Sequence, residues 1–178
     1  MIIGISGKKR SGKDTVFSMI DAITAHEVRT TRTAFGDQIK QEIAESMGIS
    51  ADDINADKER FRPLLQWWGA EFRRGYCGED YWIKKMRLAA AAWYARDWLI
   101  ITDVRFPNEA ELVRELNGVL IRVDRDRDTW LDDHNSETAL DDYDHFDFRL
   151  KNDGSLDDLE TAVVEIVSDI YKREPINQ

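Results

Sequence analysis

The N-terminal segment restricts the fold of this chain more than any other part of the sequence. Residues 2–5 are apolar apart from a glycine, which suits a strand buried on both faces of a parallel sheet. They lead into Gly-x-x-x-x-Gly-Lys, which ends at Lys13, and residues 15–25 then carry apolar side chains at helical spacing. Glycines let the backbone turn its N–H groups toward an anion, and a helix N-terminus favours phosphate. The segment therefore predicts a phosphate-binding loop over residues 7–15.

The loop departs from the usual pattern directly after the lysine, where Asp14 replaces the Ser or Thr normally found there. We expect Lys13 to reach the β- and γ-phosphates of a nucleotide, and Thr15 to approach a metal ion or a phosphate. Asp14 is favourable in a first helical turn and could hold a metal-bound water. The alternative is an ordinary glycine-rich turn beside the basic run 8–10. The combination of strand, spaced glycines, lysine and helix disfavours that alternative.

Charge and length limit the class of ligand. The net charge of −10 argues against non-specific binding to a nucleic-acid polymer. The basic residues nevertheless occur in clusters, which suits a small anionic ligand. The 178 residues include one cysteine and no apolar run of membrane-spanning length, and we interpret the apolar start as a strand and expect no signal peptide. We therefore expect a cytoplasmic protein that does not associate with membranes.

Strands and helices alternate along the sequence, which predicts parallel βαβ units in an α/β fold. We expect a single domain over residues 1–178, with about five parallel strands flanked by helices and with a lid loop at about 124–143. Residues 52–57 read as a polar connection and 75–78 as a break between helices at 60–74 and 81–96.

A second anion-binding position is predicted where the apolar strand 98–102 ends. Asp103 and Arg105 follow this strand, and ligands of open α/β sheets sit outside the carboxyl ends of the strands. Asp103 could hold Mg²⁺ through water, and Arg105 could bind a phosphate with two N–H groups. The alternative is an aspartate that caps the next turn and pairs with Arg105.

The segment after the phosphate loop offers further candidates. Arg62, Gln66 and Arg73 are spaced to share one helix face, which could grip a phosphate and a base edge. Trp82 could line a site or simply pack in the core. In the expected lid, Arg125 and Arg127 could swing in to neutralise a transferring phosphoryl group.

Seven motifs occur in the order typical of one family and span nearly the whole chain: Ser6–Thr15, Phe35–Lys40, Arg62–Gly69, Tyr81–Lys84, Thr102–Arg105, His134–Glu137 and Asn152–Leu156. With them the chain resembles the phage-type deoxynucleoside monophosphate kinases of the P-loop kinase superfamily. It is also similar to the related animal-type phosphomevalonate kinases. The resemblance implies a P-loop kinase fold and Mg²⁺-dependent phosphoryl transfer from ATP to a deoxynucleoside monophosphate, giving dNDP and ADP, in the host cytoplasm if the protein is phage-encoded.

The resemblance also implies roles for individual residues. The residue chemistry described above assigns catalysis to Lys13, Arg105 and Arg125, and metal binding to Thr15 and Asp103 through water. ATP binding falls to Arg10, Ser11, Gly12, Lys13, Asp14, Thr15, Asn152 and Gly154. The acceptor site, in a helical region at about 36–96, is assigned to Lys9, Lys40, Arg62, Gln66, Trp82 and Arg105.

Two departures from the family pattern leave base specificity open. The chain is shorter than larger members between Asp52 and Arg62, and it has one extra residue between Gly36 and Lys40. Two other functions stay open at this point: a kinase for another phosphorylated small molecule such as phosphomevalonate, and a non-catalytic nucleotide-binding switch. A homodimer through the Trp-rich helix is also possible.

Overall fold

The computed structural model describes residues 1–93, 97–126 and 135–173. The chain forms two compact units: a sheet unit of residues 1–33 and 93–178, and a helical unit of residues 34–92. None of the described helices is long and apolar enough to cross a membrane.

The sheet unit contains five parallel strands in the order β2-β3-β1-β4-β5. The strands are β1 Ile2–Ser6, β2 Thr30–Thr33, β3 Trp98–Val104, β4 Val119–Asp124 and β5 Phe148–Lys151. β1 is central, with Ile3 paired to Ile100 of β3 on one side and to Val119 of β4 on the other. All five carboxyl ends meet at one edge of the sheet, as predicted for a doubly covered parallel sheet.

Helices cover both faces of this sheet. α1 (Lys13–Thr24) and α9 (Leu156–Arg173) pack on one face, where they bury a continuous apolar core. α7 (Pro107–Glu115) covers the other face, and Gly4 lies there against Val113. A short helix, α8 (Asn135–Thr138), precedes β5. The predicted fold class is confirmed.

The helical unit contains α2 (Phe35–Met47), α3 (Ala51–Ala56), α4 (Lys58–Gln66), α5 (Gly75–Cys77) and α6 (Tyr81–Ala91). A π-helix, Trp67–Arg74, joins α4 to α5. A small core forms around Ile43, Ala44 and Ile54, with partly buried apolar side chains of α2 and α4 packed against it.

Two predictions in this unit are wrong, and a third is refined. Residues 52–57 are not a polar connection, because Ser50 and Asp53 form a reciprocal capping box that starts α3 and Ile54 fills the core. The helix predicted for 60–74 is present, but its bonding changes from α to π at Trp67. The break predicted at 75–78 lies instead at residues 78–80, because Gly75–Cys77 is helical; it begins at Gly78, whose φ of 99° only glycine adopts readily.

Candidate active site

The phosphate loop connects β1 to α1 with a tightly constrained backbone. Gly12 has a φ of 103° and Arg10 a φ of 63°. A Cβ atom at Gly7 would meet the Ser11 hydroxyl, and it would lie 2.5 Å from the carbonyl oxygen of Val123. Ser11 is 1% exposed, and its Oγ has no hydrogen-bond partner among the described residues. The loop is therefore a closely packed backbone cradle with a buried hydroxyl in its wall.

Lys13 folds back over this cradle. Its ammonium donates to the carbonyl oxygens of Gly7 at 2.6 Å and of Lys8 at 2.7 Å. Burial, with the positive charge of Arg105, lowers the pKa of Lys13 to about 8 against the opposing pull of carboxylates at Glu137, Asp103 and Asp14. Lys13 and Arg105 therefore lie close enough to repel each other, and a bound anion would reduce this repulsion.

Glu137 connects Arg105 to the phosphate loop. One carboxylate oxygen accepts the backbone N–H of Lys9 at 2.7 Å, and the other forms an ion pair with Nη1 of Arg105. The Arg105 backbone is fixed separately, because its N–H donates to the Glu109 carboxylate at 2.8 Å. The two cationic positions predicted from the sequence therefore lie together in the sheet unit.

The turn after β5 also contacts the loop. The side-chain amide of Asn152 donates to the Ser11 carbonyl at 2.8 Å, and its backbone N–H donates to the Asp124 carbonyl at 2.8 Å. A Cβ atom at Gly12 would clash with the Asn152 amide. Gly154 lies at the start of α9, against Asp158. The carboxyl ends of β1, β4 and β5 are thus tied to the phosphate loop.

A cavity of about 380 Å³ lies beside the loop in the sheet unit. Lys8 and Ser11 form part of its wall, and the rest comes from the ends of β4 and β5 and from Leu140 and Asp141. The predicted catalytic Arg125 is exposed and lines this cavity, with no hydrogen bond or ion pair to any described residue. Of the expected lid, residues 127–134 lie outside the described ranges, and with them Arg127 and His134.

Arg122, on the cavity wall, is a structural cation. It is 6% exposed, and it bonds Asp124 at 2.8 Å, Ser6 Oγ at 3.3 Å and Asp141 at 3.3 Å. Asp141 also pairs with Lys8 at 2.8 Å. A buried charge with all of these partners holds β4 against β1 and the loop.

The predicted metal ligands have suitable chemistry. Thr15 and Asp103 are half-buried oxygen donors, and Asp14 is exposed in the first turn of α1. In the part of the chain that the structure describes, no three His, Cys, Asp or Glu side chains form a metal-binding group.

The other four predicted acceptor residues belong to the helical unit. Lys40 pairs with Asp37 at 2.7 Å, and Arg62 pairs with Glu59 at 2.9 Å. Gln66 is half-buried at the end of α4. Trp82 is 1% exposed and donates its indole N–H to the Gly69 carbonyl at 2.8 Å, so it packs in the core. Their part in acceptor binding stays a prediction.

Arg73 does not follow the helical spacing used to group it with Arg62 and Gln66. The i→i+5 bonding of the π-helix changes the angular step between residues, so α-helical spacing does not apply beyond Gln66. Arg73 instead donates to Glu42 at 2.7 Å and lies 5.0 Å from the ring centre of Tyr81.

Glu42 is the central hydrogen-bond acceptor of the helical unit. Its carboxylate, 8% exposed, accepts hydrogen bonds from Trp68, Arg73, Tyr81 and Lys85. Burial alone would raise the pKa of Glu42, but the four donors outweigh burial and lower it to about 2. This carboxylate joins α2, the π-helix and α6.

Sequence reasoning missed Glu42 and Glu137 as key residues. Glu137 belongs to the motif His134–Glu137, which carried part of the family resemblance, so its presence there was a usable signal. Glu42 lies on α2 outside the recognised motifs, and nothing in its local pattern distinguishes it from the exposed Glu45.

A strand, a glycine-rich loop and a helix follow one another here, as in P-loop phosphate-binding proteins. Lys13 lies over the loop, and Arg105 lies at the end of the neighbouring strand. Residues 49–163 match the family model described as deoxynucleotide monophosphate kinase. A protein of Acanthamoeba polyphaga mimivirus, provisionally described as a deoxynucleotide monophosphate kinase, is 28% identical over 195 aligned positions, covering 94% of this chain and 96% of the viral protein. The chain belongs to the deoxynucleotide monophosphate kinase family and is a nucleotide kinase.

Two solved structures are similar at a lower level. Shikimate kinase from Aquifex aeolicus aligns with a TM-score of 0.47 and 14% identity, covering 98% of this chain and all of that one. The APS kinase of Mycobacterium tuberculosis, in complex with AMPPNP and APS, aligns with a TM-score of 0.49 and 14% identity, covering 94% and 96% of the two chains. At these scores neither likeness supports an inference about activity.

Proposed function

We propose that this protein transfers the terminal phosphoryl group of ATP to the phosphate of a deoxynucleoside monophosphate. The bond between the γ-phosphorus and the β,γ-bridging oxygen breaks, a new P–O bond forms to an acceptor phosphate oxygen, and the products are dNDP and ADP. The acceptor oxygen is already ionised, so no general base is required. Catalysis then depends on alignment and charge neutralisation.

The observation that carries this proposal is the pairing of two cations around one loop. Lys13 lies over the phosphate loop, and Arg105 lowers its pKa while being tied to the same loop through Glu137. The second cation beside the loop offers a contact for an acceptor phosphate, and a nucleotide-binding switch does not require such a second anion pocket. We assign Lys13 to the donor and Arg105 to the acceptor.

The donor site would use the loop and its neighbours: Arg10, Ser11, Gly12, Asp14, Thr15, Asn152 and Gly154. The buried Ser11 hydroxyl, which has no partner in the part of the chain that is described, and the glycine positions that admit no Cβ support a close backbone approach to phosphate. Mg²⁺, when bound, would neutralise phosphate charge. Thr15 and Asp103 would hold it through water, in keeping with the preference of Mg²⁺ for a few protein oxygens, water and phosphate.

We assign acceptor binding to Lys9 and Arg105 in the sheet unit. The resemblance adds Lys40, Arg62 and Gln66 of the helical unit as candidates, whereas Trp82 is buried and would support the packing of that unit. Arg125, exposed at the cavity beside the loop, would neutralise charge on the transferring group. The protein is expected to act without nucleic-acid or membrane partners.

A coupled assay of ADP release across dNMPs, NMPs and phosphomevalonate tests the proposal. We expect acceptor-dependent turnover with at least one dNMP and a kcat/KM at least about tenfold lower with phosphomevalonate. Preference for phosphomevalonate would identify the alternative kinase. ATP binding by calorimetry with no acceptor-dependent turnover would identify a switch.

Arg105→Ala tests the acceptor assignment. We expect kcat/KM for the dNMP to fall at least about 100-fold, because a charge-assisted, two-pronged phosphate contact is lost. Binding of ATP should change little, as measured by calorimetry. Arg29→Ala is the control, since the exposed Arg29 side chain pairs, among the residues described, with Asp97 of the same unit alone. Unchanged acceptor kinetics in Arg105→Ala would remove Arg105 from the site.

A further inference from the structure

The Glu137 side chain is almost completely enclosed, with 4% of its surface exposed. Both of its oxygens accept hydrogen bonds from groups of the phosphoryl-transfer site, the Lys9 backbone N–H and Arg105 Nη1. A buried carboxylate that accepts from two donors of this kind fixes the distance between them. Lys9 lies in the phosphate loop and Arg105 follows β3, so Glu137 joins two parts of the site that are far apart in sequence.

The contact to Arg105 uses one end of the guanidinium. Nη1 bonds both the Glu137 carboxylate and, at 3.4 Å, the Ser136 carbonyl oxygen. Nε and Nη2 make no hydrogen bond with any residue within 1–93, 97–126 or 135–173. The planar guanidinium therefore keeps a second N–H edge with the geometry for a phosphate.

We propose that Glu137 is a positioning residue for phosphoryl transfer, which holds the Arg105 guanidinium by one end and orients its other edge toward the acceptor phosphate. The proposal rests on the function proposed above, because it assumes that Arg105 binds the acceptor. Glu137 itself does not contact the reacting atoms.

Glu137 contacts only the Nη1 end of the Arg105 guanidinium, and this shows whether the carboxylate orients Arg105 or blocks its phosphate-binding edge. A carboxylate that occupied the phosphate-binding edge of Arg105 would have to leave before the acceptor bound, and its removal would increase activity. Here the Nε–Nη2 edge is left for a ligand, so removal of Glu137 releases Arg105 from its orientation and lowers activity.

The two acceptor oxygens also explain why an amide cannot substitute. Glutamine has the same shape but offers one acceptor and one donor. In Glu137→Gln the amide NH₂ would face either the Lys9 N–H or the Arg105 guanidinium, so one contact becomes donor against donor. Aspartate keeps two acceptor oxygens on a shorter side chain, so Glu137→Asp should preserve part of the function.

A double-mutant cycle on kcat/KM for the dNMP tests the proposal. We expect Glu137→Gln to lower kcat/KM by about 10- to 100-fold, mainly through KM for the dNMP, and Glu137→Asp to lower it less. In the Arg105→Ala background, Glu137→Gln should cost less than about threefold, because its effect is exerted through Arg105. Arg105→Lys takes the place of Arg105→Ala if turnover of the alanine variant is below detection.

The matched control is Glu111→Gln, which removes a carboxylate that bonds the Tyr143 hydroxyl at 2.9 Å on the outer side of α7. It should leave kcat/KM unchanged. Melting temperatures are measured for every variant, and Glu137→Asp serves for the cycle if Glu137→Gln does not fold.

Several results would overturn the positioning role. An increase in kcat/KM would identify a blocking contact, and unchanged kinetics would identify a purely structural one. Equal fold-losses with and without Arg105 would show that Glu137 does not act through it. Failure of the proposed function is separate, because the wild-type protein would then release no ADP in response to any dNMP.

Discussion

Lys13→Ala is expected to lower kcat by about 1,000-fold or more while leaving the fold intact. The lysine lies over the phosphate loop, where it would neutralise charge that develops on the transferring group. The fold does not depend on it, because burial and Arg105 already disfavour its charged form and lower its pKa to about 8. Loss of this charge removes an unfavourable burial and costs two hydrogen bonds to loop carbonyls.

Steady-state kinetics and the melting temperature together check this prediction. Lys8→Ala is the matched control in the same loop, because Lys8 is exposed and pairs with Asp141 at the surface. It should change kcat less than about threefold. Near-normal turnover of folded Lys13→Ala would contradict the assignment of Lys13, whereas an unfolded variant would contradict the view that its charge is dispensable for stability.

Glu42→Gln is expected to lower the free energy of unfolding by roughly 3 kcal/mol, near the lower end for breaking a buried charged pair. The carboxylate accepts from Trp68, Arg73, Tyr81 and Lys85, and an amide cannot accept from all four. The expected loss of stability is not larger, because Arg73 and Lys85 are partly exposed and can be hydrated after the substitution. Urea unfolding followed by circular dichroism measures it, with Glu45→Gln on the exposed face of α2 as control.

We also expect the contribution of Glu42 to the free energy of unfolding to depend on pH. The pKa of Glu42 is lowered from 4.5 to about 2 in the native state, so the unfolded state binds the proton more readily. The stabilisation by Glu42 is therefore fully present above about pH 5, and it is lost as the pH falls from about 4.5 toward 2. The stability difference between wild type and Glu42→Gln should shrink over that interval, and a constant difference would show that the carboxylate charge contributes nothing.

The sheet unit could be predicted from sequence because its signals are local. The apolar run of β1, the spaced glycines and the periodic residues of α1 each follow from neighbours a few positions away. The strand end at Arg105 followed from the rule that ligands bind at carboxyl ends of parallel strands.

The helical unit was harder to predict from the sequence, because its sequence patterns are short or absent. α3 has six residues and buries one of them, Ile54, which is too few for an apolar period. Nothing in Trp67–Arg74 distinguishes π from α bonding, because the choice depends on tertiary contacts such as the Trp82 indole on Gly69.

The connections that organise the candidate site could not be read from sequence either. Arg122 and Arg125 look alike in a basic cluster, yet Arg122 is buried and paired while Arg125 is exposed at the cavity. Glu137 meets Lys9 from the opposite end of the chain. Such contacts depend on how Glu137 and Asp141 pack on the loop, which no local pattern encodes.

The central place of β1 has a consequence for the order of events during synthesis. The phosphate-loop motif is translated before β3 and β4, but the strand that holds it pairs with Leu99 and Val119 of those strands. Such distant pairings fold slowly, because the chain must close long loops before they form. A nascent chain that stops before β4 therefore carries the motif without the cradle, and acquires nucleotide affinity only when β4 has joined the sheet.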